Sequence, residues 1–155
     1  MFKMQKLKRL SVLVFLLVFS SVVFAQDGKI LNEDKPFAKT HIILQLSDAD
    51  PKKHSLVLDI ANNLTRHYGG ADMVDIEIIA FASGIDLLLE GNPNAARISS
   101  LVDSGVNFYI CLNTVDTRER KTGKRPKISK HATGVQTGVA FMVDEIHRGY
   151  THIRP

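Results

Sequence analysis

The sequence contains one cysteine, Cys111, and it is the residue best suited to nucleophilic chemistry. It closes an apolar stretch and is followed closely by the small polar residues Asn113 and Thr114. A thiol attacks as its thiolate, and hydrogen-bond donors beyond the end of a strand stabilise negative charge. Cys111 is therefore the candidate reactive residue, with Asn113 and Thr114 as substrate-binding residues. The alternative is an inert, buried cysteine, because free cysteines are among the most buried residues.

A strongly basic segment follows this site. Between residues 118 and 130 there are seven lysines and arginines and one acid, Glu119. Arg118 and Arg120 are the basic residues nearest to Cys111 in sequence and are predicted to bind an anionic substrate. Gly123 and Pro126 interrupt the segment, which favours a mobile loop from residue 117 to residue 130 over a packed helix. A solvated loop without a partner and a docking site for an acidic partner remain alternatives.

A second candidate position follows the first apolar strand of the chain. Ser47 and Asp48 come directly after that strand. Ligands in open α/β sheets collect outside the carboxyl ends of the strands, so both residues are candidate substrate-binding residues. Asp50 and Pro51 have the types expected for the cap and the first position of a helix.

Other kinds of site are not supported by the sequence. The six histidines lack the spacing of metal ligands on one helix face, and no second cysteine could join them. No phosphate-binding loop, dinucleotide-binding glycine pattern or Ser/His/Asp arrangement is present. We therefore predict no metal and no cofactor.

The first 25 residues have the pattern of a cleavable signal peptide. Four basic residues precede an apolar run, and Val23-Phe24-Ala25 provides small residues at a cleavage position after Ala25. We predict a signal peptide at 1–25, a flexible spacer at 26–39 and one domain at 40–155. Without the leader, 16 basic and 16 acidic residues remain, so the excess positive charge lies in the leader. This balance argues against nucleic-acid binding, and we expect no stable membrane span after cleavage.

Strands and helices alternate along the rest of the chain. Apolar runs predict strands at residues 40–46 and 73–81 and a buried strand that ends at Cys111. Asp75 and Glu77 alternate with apolar residues, which predicts a partly exposed face on the second strand. A helix beginning at Pro51 is predicted to bury an apolar stripe formed by Leu56, Ile60, Leu64 and Tyr68. Later segments predict a strand within 132–138, a last helix and a terminal strand. This order predicts a three-layer α/β/α sandwich around a mainly parallel sheet.

Several segments together resemble the DsrE/DsrF-like family, and more narrowly its stand-alone, often exported branch. They are Ser47-Asp-Ala-Asp-Pro51, Ala95-Ala-Arg-Ile98 leading to Gly105-Val-Asn-Phe108, Cys111-Leu-Asn-Thr114, and Gly149-Tyr-Thr-His-Ile-Arg-Pro155. The resemblance implies a flavodoxin-like fold, assembly into trimers or hexamers, and a cysteine that carries sulfur as a persulfide. That cysteine maps onto Cys111. The family usually has a partly apolar helix after this motif, whereas this chain has the basic segment.

The resemblance implies a periplasmic sulfur-handling protein, either a sulfur carrier or a sulfurtransferase that uses a persulfide on Cys111. Its expected partners are a sulfur donor or acceptor protein, or a small sulfur anion. Two alternatives stay open. One is a non-enzymatic, oligomeric binding module for a small anion or an acidic partner. The other is a redox role in which Cys111 pairs with a thiol of another protein.

Overall fold

The fold is a five-stranded parallel sheet with helices on both faces. A computed structural model describes residues 32–155. The strands are β1 Thr40–Leu46, β2 Val74–Ala80, β3 Val106–Cys111, β4 Ala132–Val135 and β5 Thr151–Ile153. The helices are α1 Pro51–His67, a 3₁₀ helix Ala82–Leu88, α2 Ala95–Asp103, α3 Leu112–Thr122 and α4 Gly138–Arg148. The predicted signal peptide and residues 26–31 of the predicted spacer lie outside the described residues.

The sheet has the strand order β4-β3-β2-β1-β5, and every pair of neighbours is parallel. The predicted α/β sandwich with a flavodoxin-like sheet is confirmed. The chain adds β2, β3 and β4 on one side of β1 and then crosses back to place β5 on the other side. This reversal explains why α4 lies on a different face of the sheet from the preceding helices, because parallel crossovers keep one hand.

The larger core lies between the sheet and α1, the 3₁₀ helix and α2. Val57, Leu58 and Ala61 of α1 are fully buried in it. The predicted apolar stripe of α1 is therefore only partly right, because Leu56 is 45% exposed and Tyr68 is 36% exposed. An α-helix repeats every 3.6 residues, so a strict four-residue spacing drifts around the helix and its ends leave the buried face.

The smaller core lies on the other face of the sheet, under α4. It consists of Ile43, Ile79, Met142 and Tyr150. The predicted exposure of Asp75 and Glu77 on this face is wrong, since their exposed fractions are 0% and 4%. Alternation of polar and apolar residues normally indicates a solvated face, but here the polar positions are covered by neighbouring side chains.

Residues 32–39 pack against the domain, although they belong to the predicted flexible spacer. The Asn32 amide donates to Asp75 Oδ2 at 2.9 Å. Lys35 Nζ donates to the carbonyl groups of Val74 and Gly105 and lies 3.6 Å from Asp75 Oδ1. This part of the predicted spacer is a strap that covers the buried carboxyl of Asp75.

The basic segment is ordered, and the prediction of a mobile loop at 117–130 is wrong. Its first part continues α3, which buries only Val115 and ends at Thr122, just before Gly123 in the left-handed conformation. Arg125 folds back and donates to Asp116 at 2.6 Å and to Glu119 at 2.7 Å. Because α3 buries so little, its sequence lacks the apolar periodicity that predicts a helix.

The second part of the basic segment pairs with residues that follow the 3₁₀ helix. Ile128 forms an antiparallel bridge with Leu89. The Glu90 N–H donates to the Lys127 carbonyl at 2.8 Å, and the Ser129 N–H donates to the Leu88 carbonyl at 2.9 Å. These backbone bonds hold the segment at the edge of the larger core.

Candidate functional site

Cys111 lies where β3 ends and directly before the first residue of α3. The backbone N–H of Gly138, the first residue of α4, donates to Cys111 Sγ at 3.2 Å. The sulfur is therefore near the N-terminal ends of two helices, which is where backbone dipoles favour negative charge. Cys111 is 6% exposed, so any reagent must pass the atoms that cover it.

The close approach of α4 to the sulfur depends on Gly138. A Cβ atom at this position would lie 2.9 Å from Cys111 Cβ and 3.3 Å from Phe81 Cβ. Contacts under 3.0 Å between carbon atoms force the neighbours apart. A glycine is therefore needed for the first N–H of α4 to reach the thiol.

The thiol is covered by the segment from Gln136 to Gly138, where the chain passes from β4 into α4. Cys111 Sγ lies 3.8 Å from the Gln136 carbonyl oxygen. Asn113 holds this cover with three hydrogen bonds. Its backbone N–H donates to the Gln136 carbonyl at 3.0 Å, and its Oδ1 accepts from Gln136 Nε2 at 2.6 Å. Its Nδ2 donates to Thr137 Oγ1 at 3.0 Å.

Thr114 lies on the wall of a cleft between α3 and the 3₁₀ helix. Its Oγ1 accepts a hydrogen bond from the Ala82 N–H at 3.2 Å. The cleft has a volume of about 670 Å³. Its lining residues are Ala82, Ser83, Asn113, Thr114, Thr117, Arg118, Lys121 and Thr122. Asn113 thus contacts the cover of Cys111 and also lines the cleft, while Cys111 is not part of the cleft wall.

The two predicted arginines have different surroundings. Arg118 lines the cleft and forms an ion pair with Asp86 of the 3₁₀ helix. Arg120 does not line the cleft, and its guanidinium donates to Thr117 Oγ1 at 2.8 Å. Lys121 lines the cleft and was not among the predicted site residues. Its position one turn after Arg118 is the sequence signal that could have identified it.

Ser47 and Asp48 lie at the carboxyl end of β1 and do not line the cleft. The carboxylate of Asp48 lies 3.3 Å from Lys53 Nζ and 4.0 Å from the guanidinium of Arg154. Asp50 Oδ1 accepts from the Lys52 N–H at 2.9 Å, so the predicted helix cap is confirmed. A substrate role for Ser47 and Asp48 stays a prediction.

A buried cluster of carboxyl groups on the α4 face was missed by the sequence analysis. Burial raises the pKa of Glu77 to about 8, and the nearby carboxylates of Glu145 and Asp75 add to this. Burial likewise raises the pKa of Tyr109, which hydrogen-bonds Glu77. Asp75 Oδ2 accepts from the Tyr150 hydroxyl, while Asp75 Oδ1 and Glu77 Oε2 are buried without a hydrogen-bond partner. Asp75 Oδ1 has Lys35 Nζ as an ion-pair partner at 3.6 Å, whereas a buried oxygen without a hydrogen bond, as at Glu77 Oε2, is uncommon.

Two other properties concern the part of the chain that the structure describes. Within residues 32–155, no three histidine, cysteine, aspartate or glutamate side chains form a group that could hold a metal ion. No helix in that range is both long enough and apolar enough to cross a bilayer.

Comparisons with known proteins support the assignment of the fold and nothing further. No family model matches the sequence, and no curated protein matches it. A solved structure with a similar fold is MTH1491, a protein of unknown function from Methanobacterium thermoautotrophicum. The match has a TM-score of 0.67 at 22% identity and covers 75% of this chain and 99% of that one. The resemblance to the DsrE/DsrF-like family stays a prediction.

Proposed function

We propose that the protein is an exported, periplasmic sulfur-handling protein of the DsrE/DsrF-like type in which Cys111 carries sulfur as a persulfide. The observation that carries the proposal is the position of the thiol. Cys111 closes a central strand at the carboxyl edge of the sheet, directly precedes α3, and accepts the first N–H of α4 at 3.2 Å. Sulfur transfer forms an anionic terminal sulfur atom, and backbone N–H groups at the end of a strand are donors that can hold such a charge.

The transfer step is a displacement at a sulfane sulfur atom. The Cys111 thiolate attacks the outer sulfur of a donor such as thiosulfate, and a new sulfur–sulfur bond forms as the donor's own sulfur–sulfur bond breaks. Sulfite leaves with the electron pair, and the product is the anionic persulfide of Cys111. An acceptor thiolate that attacks the terminal sulfur restores the Cys111 thiolate. No external oxidant is required.

Two other roles would use the same residues. In a redox role, Cys111 forms a disulfide with another protein, and no sulfur atom is gained. In a binding module, the cleft holds an anion and the thiol remains inert. The gain of one sulfur atom separates the proposed function from both alternatives.

Incubation of the mature protein with thiosulfate should increase its mass by one sulfur atom, and a reductant should reverse the change. Cys111→Ser should gain no mass, because the chain has no other thiol. Intact-protein mass spectrometry measures the result. Gly138→Ala is expected to lower the yield, because its methyl group would push the α4 N–H away from the sulfur. Alkylation of Cys111 only after denaturation would contradict the proposed function.

We also propose that the protein self-associates through α4. Val139, Val143 and Ile146 are spaced along one side of α4 and are 48%, 39% and 37% exposed. Exposed apolar side chains grouped in this way mark interaction surfaces. The expected trimer or hexamer would bury this stripe against another copy.

Light scattering of the mature protein should therefore give a mass larger than one chain, and Val143→Asp should reduce it to the monomer mass. The matched control is Leu56→Asp, which places the same charge at an exposed apolar side chain of α1. The control should leave the assembly unchanged. A wild-type protein that is monomeric at micromolar concentration would count against self-association.

A further inference from the structure

The cleft between α3 and the 3₁₀ helix has the size of a small-molecule site. Its volume of about 670 Å³ falls within the range of protein ligand sites, and it opens next to the ends of β2 and β3. A single inorganic anion would occupy only part of it. The volume therefore fits a molecule that has a body as well as a charged group.

The lining residues have the chemistry of an oxyanion site. Arg118 and Lys121 are the charged residues of the cleft wall, and the wall contains no acidic residue. They are three residues apart on α3, which places them on one side of the helix. Asp86 pairs with Arg118 but does not line the cleft, and a guanidinium has five N–H donors, so some are available to a ligand.

Neutral donors add to these charges. Thr114 Oγ1 accepts from the Ala82 N–H, which leaves the Thr114 hydroxyl hydrogen available for a ligand. No side chain caps the first turn of α3, where the Asn113 N–H donates to the Gln136 carbonyl, and the positive end of the helix dipole lies at this end of the cleft. Charged and neutral donors that converge in this way bind oxygen atoms of phosphate-like and sulfate-like groups.

The backbone at the cleft is held in an uncommon conformation. Among the described residues, Ala82 is the one non-glycine residue with a positive φ, at +48°. Such conformations cost about 1 to 3 kcal/mol and are concentrated at functional sites. Here the conformation accompanies the hydrogen bond from Ala82 to Thr114, and both residues belong to the cleft wall.

We propose that this cleft binds a small molecule that carries a tetrahedral oxyanion, and that Asn113 transmits its binding to the cover of Cys111. Asn113 lines the cleft while its side chain holds Gln136 and Thr137 over the thiol. A ligand oxygen that accepts from the second N–H of Asn113 Nδ2 draws the carboxamide toward the cleft, which lengthens its bonds to Gln136 and Thr137 and loosens the cover. Ligand binding in the cleft does not depend on the proposed sulfur chemistry. The role of the coupling, which is to expose Cys111 for sulfur transfer, rests on the proposed function.

The binding step is tested with phosphate, sulfate and thiosulfate as separate probes, with chloride at equal ionic strength as the reference. Amide NMR shifts of the mature protein should saturate at millimolar concentrations and should be centred on Ser83, Thr114 and Lys121. Arg118→Gln combined with Lys121→Gln should weaken binding by about tenfold or more, since both charge-assisted contacts are lost. The three probes show whether phosphate-type or sulfur-type anions are preferred.

The matched control is Lys124→Gln combined with Lys130→Gln, which removes the same charge from exposed residues outside the cleft. This control should bind as the wild type does. If no probe gives saturable shifts up to about 50 mM, a range that covers even very weak sites, the binding site is refuted. If both double variants lose affinity equally, the effect is general charge attraction and the binding site is also refuted.

The coupling step is tested by alkylation of Cys111 with the neutral reagent iodoacetamide under native conditions. Sulfate, which cannot donate sulfur, should speed alkylation of the wild type several-fold over chloride. Asn113→Ala should react faster than the wild type without an anion and should respond little to sulfate. Lys124→Gln, which changes an exposed residue outside the cleft, should keep the response. A wild-type rate in Asn113→Ala refutes the coupling.

The outcomes also separate this site from the sulfur chemistry. Saturable binding of sulfate with no persulfide on Cys111 supports the oxyanion site and refutes the proposed function. A persulfide on Cys111 without saturable binding supports the proposed function and refutes the oxyanion site.

Discussion

Replacement of Glu77 by Gln is expected to remove a large pH dependence of stability. The folded protein holds the Glu77 proton with a pKa of about 8, raised from the ordinary value of 4.5 by burial and by Glu145 and Asp75. The unfolded chain releases this proton at its ordinary pKa, so the wild type loses stability as the pH rises from about 4.5 to about 8. The amide introduced by Glu77→Gln has no such proton to release.

Between pH 5 and pH 9, the free energy of unfolding should therefore shift in favour of Glu77→Gln by about 4 kcal/mol relative to the wild type. Urea unfolding at a series of pH values measures the difference. Glu33→Gln is the matched control, because it makes the same Glu-to-Gln change at an exposed residue. A difference between Glu77→Gln and the wild type that does not change with pH would show that Glu77 is not held neutral in the folded protein.

Replacement of Gly84 by Ala is expected to cause a large loss of stability, because among the glycines of the described residues an added Cβ atom meets backbone atoms most closely here. A Cβ atom at Gly84 would lie 2.3 Å from the carbonyl oxygen of Leu46 and 2.7 Å from its carbonyl carbon. Both are backbone atoms at the end of β1, so neither can rotate away. The 3₁₀ helix would have to move away from β1, and the cleft wall that it supplies would move with it.

Overpacking of this kind should lower the free energy of unfolding by about 3 kcal/mol, which corresponds to a fall in Tm of about 10 °C for a domain of this size. Thermal and urea unfolding measure the loss. Ser83→Ala is the local control, since it changes an exposed neighbour in the same 3₁₀ helix without adding bulk. Wild-type stability of Gly84→Ala would mean that the 3₁₀ helix does not pack this closely on β1 in solution.

Much of the fold could be predicted from local sequence patterns. The limits of β1, Thr40–Leu46, follow from its apolar run, and the start of α1 follows from Asp50 and Pro51. The position of Cys111 at the end of β3 follows from the change from apolar to small polar residues. These features depend on neighbouring residues in the chain, so the sequence contains the information needed to predict them.

The errors arose where distant residues decide the outcome. The residues next to Asp75 in sequence give no sign that it is covered by distant ones. Asn32 and Lys35 of the strap and Tyr150 near the end of the chain all contact its carboxylate. The α3 helix was missed for a related reason, because it buries only Val115 and its first part has no apolar stripe. Such positions are determined by tertiary packing, which overrides local preference.

For the candidate site, the sequence determined the reactive residue type and its place at the end of a central strand. The tertiary structure decided which groups surround the Cys111 sulfur. It placed the first N–H of α4 on the sulfur and gave Asn113 the role of holding the cover. It also put Arg118 and Lys121 into a cleft that Cys111 does not line. The contacts of the sulfur and of Asn113 with the cover join residues 23 to 27 positions apart, and they exist only after the chain has brought α4 against the end of β3. The cleft joins residues 32 positions apart, because it forms where α3 packs beside the 3₁₀ helix.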